Sequence, residues 1–150
     1  MAHVRVSTVI EAPPETVWRA VEDISTHTQW MADAEAIRFT GESRSGTGTT
    51  FECDTKVGPL RLTDLMEITE WEEGSTMGVR HVGLVTGSGR FSLAPAGTGR
   101  TEFRWEEELT FPFWMGGPLR DPVGAWVLEK IWRRNLARLK GLVEDGRLPG

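Results

Sequence analysis

The chain has no tyrosine, one cysteine and no long apolar run. A lone Cys53 excludes an internal disulfide and any zinc site built from several thiolates, which leaves it the role of a small buried residue. No segment nears the roughly 20 apolar residues that cross a bilayer. The opening MAHVRVSTVIE alternates as a strand does and lacks a signal-peptide core, so a cytoplasmic protein is expected. Positive charge is also scarce: 17 Lys and Arg stand against 22 Asp and Glu, for a net charge of -5. The footprint of a nucleic-acid binder is therefore missing, and neither attraction to an anionic membrane nor membrane insertion is expected. No P-loop, His-Glu-x-x-His or nucleophile elbow occurs, and His3, His27 and His81 are too scattered to nominate a zinc site. The glycines of GTGTTF and GTGRTE lead into strands rather than a helix, which excludes a dinucleotide fingerprint. Neither a metal nor a cofactor is expected.

What is present fits one domain over residues 1–150, with seven tryptophans to fill its interior. The stretch IEAPPETVWRAVEDISTHTQW reads as strand, helix, helix. Val4, Val6, Thr8 and Ile10 alternate to about Glu11, and Pro13 and Pro14 end the strand. Val17, Ala20, Val21 and Ile24 then recur at helical spacing, predicting a helix over Pro14 to Asp23. Ser25 or Thr26 is positioned to cap a second short helix carrying His27 and Trp30. From Ala34 the turn signals SRSGTG, VGP, EEGS, GLVTG and PAGTG divide about six short strands of an antiparallel meander. Asp121 and Pro122 then open a long helix as cap and first-turn proline. Its apolar stripe is Leu128, Ile131, Trp132, Leu136, Leu139, Leu142 and Val143, and Gly146 is its stop.

This order resembles the helix-grip fold of the START-type, SRPBCC superfamily, in its polyketide cyclase/dehydrase-like branch. IEAPPETVWRAVEDISTHTQW resembles that family's strand, Ala-Pro, helical Val-Trp and downstream Trp. GTGTTFE and GTGRTEFRW resemble its strand entries, and NLARLKGLVE its closing helix. The resemblance implies an α+β fold: a curved seven-stranded antiparallel sheet wrapped around the long C-terminal helix, with two short helices after the first strand plugging one end of an apolar cavity. The superfamily includes polyketide cyclases, lipid-transfer domains, plant hormone receptors and coenzyme-Q-binding proteins, so the fold alone selects no function.

Strand register sharpens the picture. With Glu73 and Gly74 as a two-residue turn, Glu72 faces Ser75, and the pairs Ile68 with Val79, Met66 with His81 and Asp64 with Gly83 follow. Leu62, Asp64, Met66, Ile68, Met77, Val79 and His81 then share one face. In the last hairpin, Phe91 opposite Trp105 puts Gly89 opposite Glu107 on the inner side, where glycine leaves space. Asp64, His81 and Glu107 are thus predicted to face one apolar concavity, with His81 nearer Asp64 than Glu107. Such groups must be paired, neutral, hydrated or turned to a ligand. One reading has His81 as base, Asp64 as its orienter and Glu107 as acid in a ring closure or dehydration. The other has Asp64 and His81 simply satisfying each other at the sheet edge, with Glu107 at the wet mouth of the cavity.

Around them, Trp30, Met66, Phe91, Phe103, Trp105 and Leu136 are candidate walls of a ligand site. Asn135 interrupts the helix stripe and is a candidate for a ligand hydrogen bond or for an inward bond to backbone. In FPFWMGGPLRD, the residues Phe111, Phe113, Trp114 and Met115 beside a Gly-Gly hinge could form a lid or a homodimer contact, with Trp126 packed under them or at an interface. The expected function is binding of a hydrophobic small molecule, such as a lipid, polyketide or other aromatic or isoprenoid metabolite, as carrier or sensor. The alternative is a cofactor-independent polyketide cyclase or dehydratase.

Overall fold

The computed structural model describes residues 2–111 and 122–148. The first strand, β1 (Ala2–Ile10), buries alternate side chains, as its sequence pattern requires. Helix α1 (Pro14–Val21) starts on the second proline and buries Val17, Trp18, Ala20 and Val21. It stops two residues short of the expected end because Asp23 is already extended, at φ -83 and ψ 98, and caps the 3-10 helix Ile24–Gln29. That corrects the expected cap: the Asp23 carboxylate, rather than Ser25 or Thr26, accepts the Ser25 N–H at 3.1 Å and the Ser25 hydroxyl at 2.6 Å.

Six strands follow: β2 (Ala34–Phe39), β3 (Thr50–Val57), β4 (Leu60–Glu72), β5 (Thr76–Val82), β6 (Thr86–Pro95) and β7 (Thr101–Thr110). Together with β1 they form a seven-stranded sheet in the order β1-β7-β6-β5-β4-β3-β2, antiparallel at every pairing. Strands β2 to β7 thus form a meander, and the connection from β1 to β2, made through the two short helices, crosses from one edge of the sheet to the other.

The long helix α2 (Pro122–Glu144) completes the α+β, helix-grip architecture. Leu128, Trp132, Leu136, Leu139 and Val143 are buried in the same core as β1 and β7, while Ile131 and Leu142 are only partly covered. The expected Asp121 cap lies outside the described residues. At the other end Gly146 takes φ 72, and Arg147 N–H bonds back to Leu142 O at 2.8 Å, so glycine's left-handed freedom ends the helix. Among the described residues no helix is long and apolar enough to cross a membrane.

The last hairpin has the expected register, with Phe91 opposite Trp105, Arg90 opposite Glu106 and Gly89 opposite Glu107. The β4–β5 hairpin departs from expectation at its turn. Glu72 pairs with Thr76 rather than Ser75, and a bulge between Ile68 and Glu70 absorbs the offset. Beyond the bulge, Ile68 faces Val79 and Met66 faces His81 as expected. The Asp64–Gly83 pair does not form, because β5 ends at Val82. Asp64 pairs instead with Cys53 on the other side.

Candidate functional site

The concave face encloses a cavity of about 130 Å³. Its wall is mostly aliphatic and aromatic, including Ile37, Phe51, Leu62, Met66, Val79, Phe91, Trp105, Leu128 and Trp132. An engineered apolar cavity of about 150 Å³ holds a benzene ring, so the space corresponds to roughly one ring. Strand β6 presents two glycines to this face, and the space above Gly89 is taken by the Glu107 side chain. Gly87 faces His81 on one side and Leu109 on the other, and Gly89 faces Val79 and Glu107, so two inward positions carry no side chain. Gly87 could be nothing else: its φ is 134, and a Cβ there would lie 1.9 Å from the Glu108 carbonyl oxygen.

Over this bare strand runs a row of buried polar groups. Asp64, His81 and Glu107 are each 7% exposed, and all three line the cavity. His81 Nδ1 lies 2.7 Å from Asp64 Oδ2, and its Nε2 lies 2.5 Å from Glu107 Oε1. Trp105 Nε1 donates to Glu107 Oε2 at 2.9 Å, and the Trp105 ring stacks on Trp132 with centroids 4.4 Å apart. The expectation that His81 sits nearer Asp64 is therefore corrected: it is held by both carboxylates, one on each ring nitrogen. Glu107 can reach across because Gly89 has no side chain beneath it.

Two carboxylates on one imidazole decide its charge. Burial works to lower the His81 pKa, but the hydrogen bonds and charges of Asp64 and Glu107 outweigh it and raise the pKa to about 10. At neutral pH both ring nitrogens carry protons, and both donate. Asp64 Oδ1 is buried and has no hydrogen-bond partner among the described residues.

Of the proposed ligand walls, Met66, Phe91 and Trp105 line the cavity. Trp30, Phe103 and Leu136 do not. They are buried at 0%, 0% and 1% exposure in the core behind the wall, where Trp30 packs edge-on against Phe103 and Trp105. Their size suits them to filling volume, and the sheet and helix close over them. Asn135 also stays off the cavity surface. Its Oδ1 accepts the Ala32 N–H at 3.0 Å and its Nδ2 donates to Asp33 Oδ1 at 2.8 Å, fastening α2 to the segment before β2. Of the FPFWMGGPLRD residues, Phe111 lines the cavity, while Phe113, Trp114 and Met115 lie outside the described residues. Trp126 is 53% exposed, with Lys130 Nζ 4.3 Å from its ring centroid.

Among the lining residues that sequence reasoning does not nominate, Asp33 and His27 carry polar groups. Asp33 receives Asn135 Nδ2 and, at 3.1 Å, Trp132 Nε1. Its partners are about a hundred positions away, and no local pattern marks it. Sequence spacing excludes His27 as a zinc ligand and assigns it no other chemical role. Its Nε2 donates to Val21 O at 2.8 Å, and burial pulls its pKa down to about 4, so the ring is neutral. Cys53 also lines the cavity, and burial pushes its thiol up to about 11, which makes it an inert wall residue. Among the described residues no group of His, Cys, Asp and Glu is placed to hold a metal ion.

The family model for polyketide cyclase/dehydrase and lipid transport proteins matches residues 1–144. Solved structures agree in fold. A START superfamily protein from Mycobacterium smegmatis superposes with a TM-score of 0.79 at 15% identity, covering 97% of this chain and 99% of that one. A Thermus thermophilus protein gives 0.76 at 24% identity, over 96% and 98%. A Streptomyces aromatase/cyclase gives 0.70 at 18% identity, over 95% and 93%. No curated protein matches the chain.

Proposed function

Because the chain belongs to the polyketide cyclase/dehydrase and lipid transport family, we propose that it binds an apolar small molecule in the cavity under α2, as carrier or sensor. The observation that carries this reading is the wall itself, aliphatic and aromatic on nearly all sides and about one ring in volume. The state of His81 supports a binding role over a basic one. An imidazole already protonated, with both N–H groups engaged by carboxylates, has no lone pair with which to take a substrate proton.

The enzymatic alternative therefore takes a changed form. As a cyclase or dehydratase, the site would use His81 as an acid, held charged by the two carboxylates, once a bound substrate displaces Asp64 or Glu107 from one of its N–H groups. The favouring observation is that this cation is buried within the cavity wall rather than paired at the surface.

The test is titration with the one-ring solvatochromic dye 4-nitroaniline, followed by its absorption and by tryptophan quenching. The dye is expected to shift to shorter wavelength and quench the tryptophans. Val79→Trp, which fills the cavity from its β5 wall, should abolish both effects while the far-ultraviolet circular dichroism is kept. If the wild-type protein leaves the dye unchanged, or the filled variant binds it equally well, the cavity reading fails. Separating carrier from enzyme needs His81→Gln: a fall of roughly 10² to 10⁴-fold in turnover of a poly-β-ketone substrate, at nearly unchanged affinity, would establish acid catalysis.

A further inference from the structure

We propose that the cavity selects an uncharged ring compound carrying a hydroxyl donor and rejects carboxylates and phosphates. This rests on the reading that the cavity binds an apolar ligand, and it narrows that ligand's chemistry.

The first argument is a charge balance. Asp33, Asp64 and Glu107 bring three carboxylates to the lining, and His81 brings one cation. The Lys and Arg side chains do not redress this. Arg90 alone of them contributes to the described lining, and it pairs with Glu70 with its side chain 53% exposed to solvent. A ligand carboxylate would enter a poorly solvated space whose balance is already negative, with the one imidazolium wholly engaged. Repulsion at such a site is screened far less than at a surface.

The second argument concerns unmet hydrogen bonds. Asp64 Oδ1 is a buried acceptor with no donor among the described residues. His27 uses Nε2–H on the Val21 carbonyl, which leaves Nδ1 a lone-pair acceptor with no partner among the described residues. Both residues line the cavity, and both lack a donor rather than an acceptor. Of the two, Asp64 Oδ1 is the fully buried one, where an unmet acceptor is costly, and a ligand hydroxyl supplies what is missing. An ammonium group would also donate, but its desolvation in so apolar a space opposes entry.

The experiment compares p-cresol, 4-methylanisole and 4-methylbenzoate at neutral pH, which share the p-tolyl ring and differ in donor and charge. Binding to the wild-type protein is read by calorimetry and by the shift of the Trp105 indole N–H in proton–nitrogen spectra. p-Cresol is expected to bind more tightly than the ether and at least about tenfold more tightly than the benzoate. In Asp64→Asn the handicap of the benzoate should shrink. The wild-type comparison decides by itself should that variant not fold. If the benzoate or the ether binds as tightly as p-cresol, the selectivity proposed here is overturned while the cavity reading stands. If none of the three binds, both fall.

Discussion

Glu107 lies directly over Gly89: a Cβ built on the glycine would come within 2.3 Å of the glutamate Cγ and 2.8 Å of its Oε1. The glycine is thus the seat of a side chain from the neighbouring strand. Gly89→Ala should force Glu107 aside, separating it from His81 and from Trp105. The expected cost is about 1–3 kcal/mol, as for other overpacked interiors. Urea denaturation measures it, and the His81 titration should move below that of the wild type. An alanine variant of unchanged stability and titration would show that Glu107 has another way across.

His81 makes stability depend on pH at the alkaline side. Its pKa is about 10 in the fold against 6.5 for the ordinary side chain, so the folded protein holds the proton more tightly. Its stabilising contribution is complete below pH 6.5, declines above that and is gone once pH has risen through about 10. Unfolding free energy should fall across this window in the wild type, and His81→Gln should remove that component. Equal slopes in the two proteins would contradict the doubly bonded imidazolium.

His27 does the reverse at the acid side. Burial holds its pKa at about 4 although the Val21 carbonyl and the Asp23 charge favour the proton, so the unfolded chain binds a proton that the fold refuses. Its contribution is intact above pH 6.5 and is lost as pH falls toward about 4. Nitrogen-detected imidazole spectra should show a neutral ring protonated at Nε2 through pH 5. A cationic His27 ring at pH 6 would overturn the assignment.

Asn135→Ala should loosen α2. The substitution strips the Ala32 N–H of its acceptor and Asp33 of one of its two side-chain donors, leaving Trp132 as the remaining one. Leaving such groups unmet costs about 1–3 kcal/mol. A thermal midpoint lowered accordingly, with the sheet's circular dichroism intact, is the expected outcome. No change would mean that water replaces the amide at no cost.

The sequence discloses this fold unevenly, for physical reasons visible in particular residues. Alternation of Phe103, Trp105, Glu107 and Leu109 against Phe91 and Gly89 sets the last hairpin's register, because a one-residue slip would turn the whole apolar set outward. The β4–β5 register is right beyond Ile68 only because a longer turn and a bulge cancel. The bulge has a local trace in Gly78, where an added Cβ would stand 2.9 Å from Glu70 Cβ, but nothing in the pattern demands it. Inward direction is legible in Trp30, Phe103 and Leu136, whereas their depth behind the cavity wall depends on how far the helix settles into the sheet. Asp33 and Asn135 are joined only by the finished fold. Gly87, read as part of a turn, continues the inward series of Gly89 and Phe91, and that alternation was the available clue.

The bond from His81 to Glu107 starts on β5 and ends on β7, passing over β6. Adjacent strands lie about 4.8 Å apart, so this short link spans two strand spacings along the inside of a bend. It acts as a chord drawn across an arc. Asp64 extends the same line onto β4, and Trp105 hands it to the helix through its stack on Trp132. The polar row is therefore a tie rod as well as a set of ionisable groups, and cutting it anywhere would relax the bow of the sheet and make the chamber shallower.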